Sequence, residues 1–203
     1  MKVCWIDTET TGLDPEENGL LQVAYIIEEN GHIIAEDNLK IKPFEIDKID
    51  EKALSVNHIT KEDISTFLDP YEAAKKLYFD LIKYTKSEHS DEKERLWMAG
   101  YNVKFDYDFI EWFFKKACVY QDNYPVPTKY SFAMNAVFHH HVIDILALVN
   151  FVKYCGVDFG KNHKLTNLCE HYNISLDAHD AMNDIRATYQ LGQIFKNKFL
   201  GGL

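Results

Sequence analysis

The sequence predicts an α/β fold: a mixed five-stranded sheet with an antiparallel three-strand meander, flanked by helices. Three observations predict it. Three β-rich segments follow one another at the start, and the second and third are joined by Asn30-Gly31, a strong short hairpin signal. After residue 70, two further strand-like runs alternate with amphipathic helical segments, and such βα alternation builds parallel pairing. With 46% hydrophobic and 27% charged residues, the 203-residue chain has the balance of one globular domain able to bury a sizeable core.

Lys2 to Asp7 is a short apolar run rich in β-formers, a buried strand. Thr8 to Gly19 carries Thr, Gly, Asp, Pro and Asn and reads as a turn region. Leu20 to Glu28 and His32 to Ile41 are the second and third strands, and Lys42-Pro43 ends the meander. Residues 50–64 read as short helical pieces around Asn57-His58-Ile59-Thr60. Pro70 starts a helix over 71–86, whose stripe is Ala73, Ala74, Leu77, Phe79, Leu81 and Ile82. After a charged loop, Leu96 to Tyr101 is the fourth strand, and Asn102 can cap a helix over 104–118. Residues 119–136 lack pattern and read as a long functional or mobile loop. Val137 to Ile143 is the fifth strand, and Asp144 caps a helix to Tyr154. Helices over 165–172 and 180–199 follow. Residues 1–200 are thus read as one domain and 201–203 as a frayed tail.

Charge and cysteine content narrow the classes. The net charge of −10 lies wholly in residues 1–70, which hold 16 acids against 6 bases, with 16 of each in the remainder. This argues against a protein that coats duplex nucleic acid with a broad basic face, but not against a nuclease, because divalent ions offset carboxylates where phosphate approaches. Cys4, Cys118, Cys155 and Cys169 show no C-x-x-C spacing, which excludes a cysteine zinc site or disulfide scaffold and suggests reduced, mostly buried thiols. No apolar run approaches the ~18–20 residues of a membrane span, and Asp7 breaks any signal-peptide core. The expected setting is cytoplasmic, with no membrane partner.

The acids carry the chemistry. Asp7 and Glu9, at i and i+2 at a strand end, point one way, and strand ends of open α/β sheets are where ligands bind. Two adjacent carboxylates call for a cation between them, and a hard divalent ion suits oxygen ligands. Asp106 lies in the first turn of a helix, where the dipole alone can explain it. Asp184 shares a helix face with Ala181, Thr188 and Leu191, so this acid needs a partner or a metal. His179, five residues earlier, can act as a general base or simply cap the helix start.

Together these residues resemble one family at every motif. D-T-E-T-T-G-L at 7–13, N-V-K-F-D at 102–106 and H-D-A-M-N-D at 179–184 are similar to the three motifs of the DEDD 3′→5′ exonucleases, of RNase H-like fold, in the branch with a catalytic histidine (DEDDh). The tyrosine branch would place Tyr where Asp180 stands. Residues 160–174 also resemble the segment before the third motif in DnaQ-like proofreading subunits of bacterial DNA polymerase III. The resemblance runs from about residue 2 to 195. It implies two Mg²⁺ or Mn²⁺ ions held by Asp7, Glu9, Asp106 and Asp184, with His179 deprotonating the attacking water. It implies that the backbone at Thr10 grips a terminal 3′-OH and that Leu13 wedges against the terminal base. The implied activity is release of nucleoside 5′-monophosphates from single-stranded 3′ ends, DNA favoured over RNA, in proofreading beside a DNA polymerase partner. An RNA-directed relative resembling RNase T or oligoribonuclease, and an idle fold used as a binding module, are the competing readings.

Other residues have ordinary alternatives. His139-His140-His141 looks like a metal tract, but no cysteine or further ligand at metal spacing accompanies it, so it reads as strand or loop. Lys161, His163 and Lys164 are read as a solvated loop, with phosphate contact as the alternative. Tyr101, Tyr107 and the aromatics of 105–114 could stack bases, but most stand at the helical spacing of a core.

Overall fold

In a computed structural model, which describes residues 1–85, 94–119, 132–160 and 162–200, the sheet has five strands in the order β3-β2-β1-β4-β5. The strands are β1 (Lys2–Thr10), β2 (Leu20–Glu29), β3 (His32–Lys40), β4 (Leu96–Gly100) and β5 (Phe138–Asp144). β1, β2 and β3 pair antiparallel, and β4 lies parallel to β1 and to β5, which is the predicted mixed sheet with its meander. Asn30 and Gly31 both take positive φ, 52° and 84°, as the tight hairpin between β2 and β3 requires.

Alternation along β1 divides the core. Cys4 and Ile6 face one layer with α3 (Pro70–Ile82) and α4 (Val103–Val119). Val3 and Trp5 face the other, built on α6 (Ile145–Tyr154), α7 (Leu165–His171) and α8 (Ala181–Leu200). Phe109, Phe113 and Phe114 are buried in the first layer, so these aromatics are core, as their spacing predicts. α8 approaches the sheet closely at Gly192, where an added Cβ would lie 2.4 Å from the Trp5 ring. That ring is held by a 2.9 Å hydrogen bond from its Nε1 to Glu28 and by an edge contact to Tyr189 at 5.4 Å. Gly192→Ala should therefore cost about 2 kcal/mol, the overpacking penalty exceeding the gain in helix propensity. Urea unfolding checks this; an unchanged midpoint would mean that Trp5 re-seats freely.

Some boundaries differ from expectation, each for a local reason. β1 runs to Thr10 instead of Asp7, because Thr8, Glu9 and Thr10 continue the ladder opposite Val23, Gln22 and Leu20. The helix read over 71–86 stops at Ile82 and tightens into a 3-10 turn over Lys83–Thr85. The pieces in 50–64 are α1 (Glu51–Val56), capped by Asp50, and α2 (Lys61–Thr66), closed by a Thr60–Asp63 capping box. Val137 ends a short helix, α5 (Met134–Val137), rather than opening β5. Asn102 is not an extended cap: it sits at φ 63°, a left-handed turn conformation that asparagine tolerates, and its N–H donates to Asp144 at 3.1 Å. Asp144 also caps α6, accepting from Leu146 and Ala147. Cys4 and Cys169 are buried, while Cys118 is half-buried and Cys155 exposed. Residues 201–203, Lys161 and most of 119–136 lie outside the described residues. Among the described residues no helix is long and apolar enough to cross a membrane.

Candidate active site

The site grows from the same alternation. Past Trp5, the face of β1 that meets α8 presents Asp7 and Glu9, while Thr8 turns to the α4 side. Asp184, one turn into α8, joins the first two: Asp7, Glu9 and Asp184 each bring a carboxylate oxygen within 4.8 Å of the others. Ala181, Thr188 and Leu191 of the Asp184 face are all fully buried, as its small and apolar pattern predicts. Asp106, buried in the first turn of α4, accepts a 2.8 Å hydrogen bond from the Thr8 hydroxyl. Thr8 thus clasps the acid of one helical layer while its neighbours meet the acid of the other.

This crowding shapes the electrostatics. Burial, followed by repulsion from Asp106, Asp184, Glu9 and Asp180, holds the Asp7 carboxyl well above the usual range. Burial and then Asp184, Asp180 and Asp106 push Glu9 up to about 8. Burial raises Asp106 to about 7 against the opposing hydrogen bond from Thr8. Burial raises Asp184 to about 6, although the His179 backbone and ring charge oppose it. Among the described residues, Asp184 Oδ1 is buried with no hydrogen-bond partner, and its Oδ2 receives a long 3.4 Å bond from the His179 N–H. Clustered oxygens that repel one another, one of them orphaned, fit a hard divalent cation.

His179 sits at the rim, exposed, at φ 71°. It does not cap α8. Asp180 does, accepting from Met182 at 3.1 Å and Asn183 at 3.2 Å. Across from His179 lies His58, ring centroids 6.4 Å apart, in a cleft of about 340 Å³ lined also by Gln22, Asn57 and Ile59. Thr10 is buried, its carbonyl accepting from Asn57 Nδ2 at 3.1 Å. Leu13 is 85% exposed. Its loop is nonetheless tied down: Asn18 donates to the Lys48 carbonyl, and buried Lys116 donates to the Asn18 carbonyl and to buried Asp47.

The exonuclease family matches residues 4–191. The chain belongs to that family. The assignment to the DEDD-type exonucleases made on the three motifs is thereby borne out.

Among solved structures, this exonuclease-family chain is similar to Escherichia coli exonuclease I in complex with a dT13 oligonucleotide, at 19% identity and a TM-score of 0.74, over 99% of this chain and 42% of that one. It is similar to a zinc-bound form of the Escherichia coli exonuclease I–ssDNA complex, at 19% identity and TM-score 0.76, over 97% and 40%. It is also similar to a moderately thermophilic exonuclease I from Methylocaldum szegediense, at 21% identity and TM-score 0.72, over 97% and 40%. The likeness is one of fold, and the chain spans about two fifths of the length of these proteins. No curated protein matches it.

Three neighbours of the site in this exonuclease-family chain escape sequence reading. Thr8 is hidden between two acids. Gln22 stands opposite Glu9 on β2 and donates to Asp180 at 3.0 Å, a tie that only the β1–β2 register reveals. His58 reaches the site from a loop more than a hundred residues from His179, and its sole signal is the Asn-His pair between two short helical patterns. His163, by contrast, fastens its own loop, pairing with Asn150 at 2.7 Å and Lys153 at 2.9 Å.

Proposed function

We propose that this protein is a metal-dependent 3′→5′ exonuclease that removes nucleoside 5′-monophosphates from single-stranded DNA ends. The observation that carries the reading is the convergence of Asp7, Glu9 and Asp184, with Asp106 behind Thr8 and His179 at the rim. Asp7, Glu9, Asp184 and Asp106 would hold two Mg²⁺ or Mn²⁺ ions, which when bound stabilise charge on the phosphoryl oxygens. His179, exposed beside Asp184, takes the proton of the attacking water. The water oxygen bonds to phosphorus, the bond from phosphorus to the preceding O3′ breaks, and that oxygen gains a proton. The shortened strand keeps a free 3′-OH for the next cycle.

Size and position favour an end over an internal bond. A cleft of about 340 Å³ beside His179 suits one nucleotide, and Asn57 ties its wall to the backbone of Thr10, where the terminal 3′-OH would be gripped. Exposed Leu13 on its fastened loop is the wedge against the terminal base. Leu13→Ala should slow release by about tenfold, less than any carboxylate change, since it disturbs positioning only.

The test is digestion of a panel at equal length: linear single-stranded DNA, the same strand closed into a circle, a blunt duplex and the ribo-oligomer. The linear DNA strand should be shortened from its 3′ end fastest, and the circle should survive. Efficient cutting of the circle overturns the 3′-end reading, and preference for the ribo-oligomer overturns the DNA reading. The likeness of residues 160–174 to proofreading subunits supports work beside a DNA polymerase, which co-purification with the replicative polymerase of the same organism tests.

A further inference from the structure

Three consecutive histidines on a regular strand would point to alternate faces and could not meet. In β5 they do meet. The β4–β5 ladder pairs Leu96 with Phe138 and then Met98 with Val142, so Trp97 alone stands against His139, His140 and His141. The two extra residues form a three-against-one bulge at the sheet edge, and bulges re-aim side chains. As a result each imidazole brings a ring nitrogen within 4.8 Å of the other two. Trp97 supports the cluster from below, stacked on His139 at 4.8 Å with the rings 3° from parallel. The His141 N–H donates to His139 Nδ1 at 3.1 Å and occupies that lone pair, so ligation by His139 requires this exposed contact to open.

We propose that His139, His140 and His141 form a second metal site, for a borderline divalent transition ion of the zinc class. Imidazole nitrogen favours zinc, copper and nickel, whereas the all-oxygen acid pocket favours magnesium, manganese and calcium. Tetrahedral zinc at about 2.0–2.1 Å from each nitrogen needs nitrogens ~3.4 Å apart, a closure that side-chain rotation supplies at this exposed position. The bulge provides three ligands and leaves a fourth position to water. The two sites cannot share an ion. Trp97 pairs with Val3, four residues before Asp7 on β1 and two strands from the bulge, so they stand about 15 Å apart.

Zinc binding to the full chain, measured by equilibrium dialysis in millimolar Mg²⁺, tests this. A protein carrying Asp7→Asn and Asp184→Asn should still bind one zinc ion with micromolar affinity. The variant with His139→Gln, His140→Gln and His141→Gln should lose that one equivalent, while its melting temperature in EDTA stays near wild type. At a hundredfold excess over Kd, zinc should raise melting of the Asp7→Asn, Asp184→Asn protein by about 5 °C. Should the triple variant misfold, His140→Gln alone should weaken zinc binding about a hundredfold and change the visible spectrum of bound Co²⁺. A zinc stoichiometry unaffected by the histidine changes, or abolished by the aspartate changes, overturns the proposal.

Discussion

Asp7→Asn and Asp184→Asn each lower the rate of 3′-terminal nucleotide release at least about a thousandfold, while both proteins stay folded. Asp7 is repelled by Asp106, Asp184 and Glu9 together, so it is the carboxylate that would gain most from a bound cation. Asp184 Oδ1 is buried without a hydrogen-bond partner among the described residues, as a ligand awaiting a cation would be. Asparagine keeps the shape of each side chain and removes the charge. Groups that act as a unit fail together, and Glu9→Gln, Asp106→Asn and His179→Ala should come close to the same floor. The measurement is the initial rate on a 5′-labelled strand in Mn²⁺, with far-UV circular dichroism as the folding control. Turnover of Asp184→Asn within tenfold of wild type would remove that residue from the site.

Without divalent ions, the protein should lose about 2 kcal/mol of stability as pH rises from 5 to 8. The sign follows from Glu9, Asp106 and Asp184, raised to about 8, 7 and 6 from ordinary values of 4.5, 3.8 and 3.8. In that window the folded state binds more protons than the unfolded chain, so the stabilisation is complete below about pH 4 and lost as pH climbs through the folded values. A tenfold difference in proton affinity between the folded and unfolded states corresponds to about 1.4 kcal/mol, but water entering as the carboxylates ionise would absorb most of the sum. Asp7→Asn should relieve part of the repulsion and make the metal-free protein about 1 kcal/mol more stable at pH 8. Millimolar Mn²⁺ should reverse the trend for wild type, because cations bind the deprotonated pocket. Thermal unfolding in EDTA and in Mn²⁺ across this range decides. A flat or rising melting temperature in EDTA would mean that the carboxylates are not packed against one another.

Where one rule governs, the sequence is readable. Period-two alternation places Asp7 and Glu9 on one side of a strand, and the small and apolar company of Asp184 marks it as a buried acid on α8. Asn30-Gly31 announces its hairpin because positive φ at both positions leaves few other choices. Reading fails where a distant partner decides. Thr8-Glu9-Thr10 has a turn-like composition, yet it stays extended because β2 is there to pair with it. Asp106 has a sufficient local explanation in the helix dipole, and only the Thr8 hydroxyl reveals its further role. The histidine tract has no further ligand at metal spacing, and strand periodicity presumes one residue per rung; the bulge that breaks that presumption leaves no mark in the composition.

The two-sided use of β1 makes the protein unequally tolerant of changes in length. Removing one residue between Val3 and Glu9 would transpose every later side chain of the strand to the opposite layer. Carboxylates would be driven into the α3–α4 core and Thr8 turned away from Asp106. The same loss between Leu13 and Glu17, where the loop stands largely in solvent, would break the turn bonds between Asp14 and Asn18 and shift Leu13, yet leave both layers in step. Descendants of this chain should therefore vary in that loop at a cost to end positioning alone, while the spacing from the first strand residue to the paired acids stays fixed.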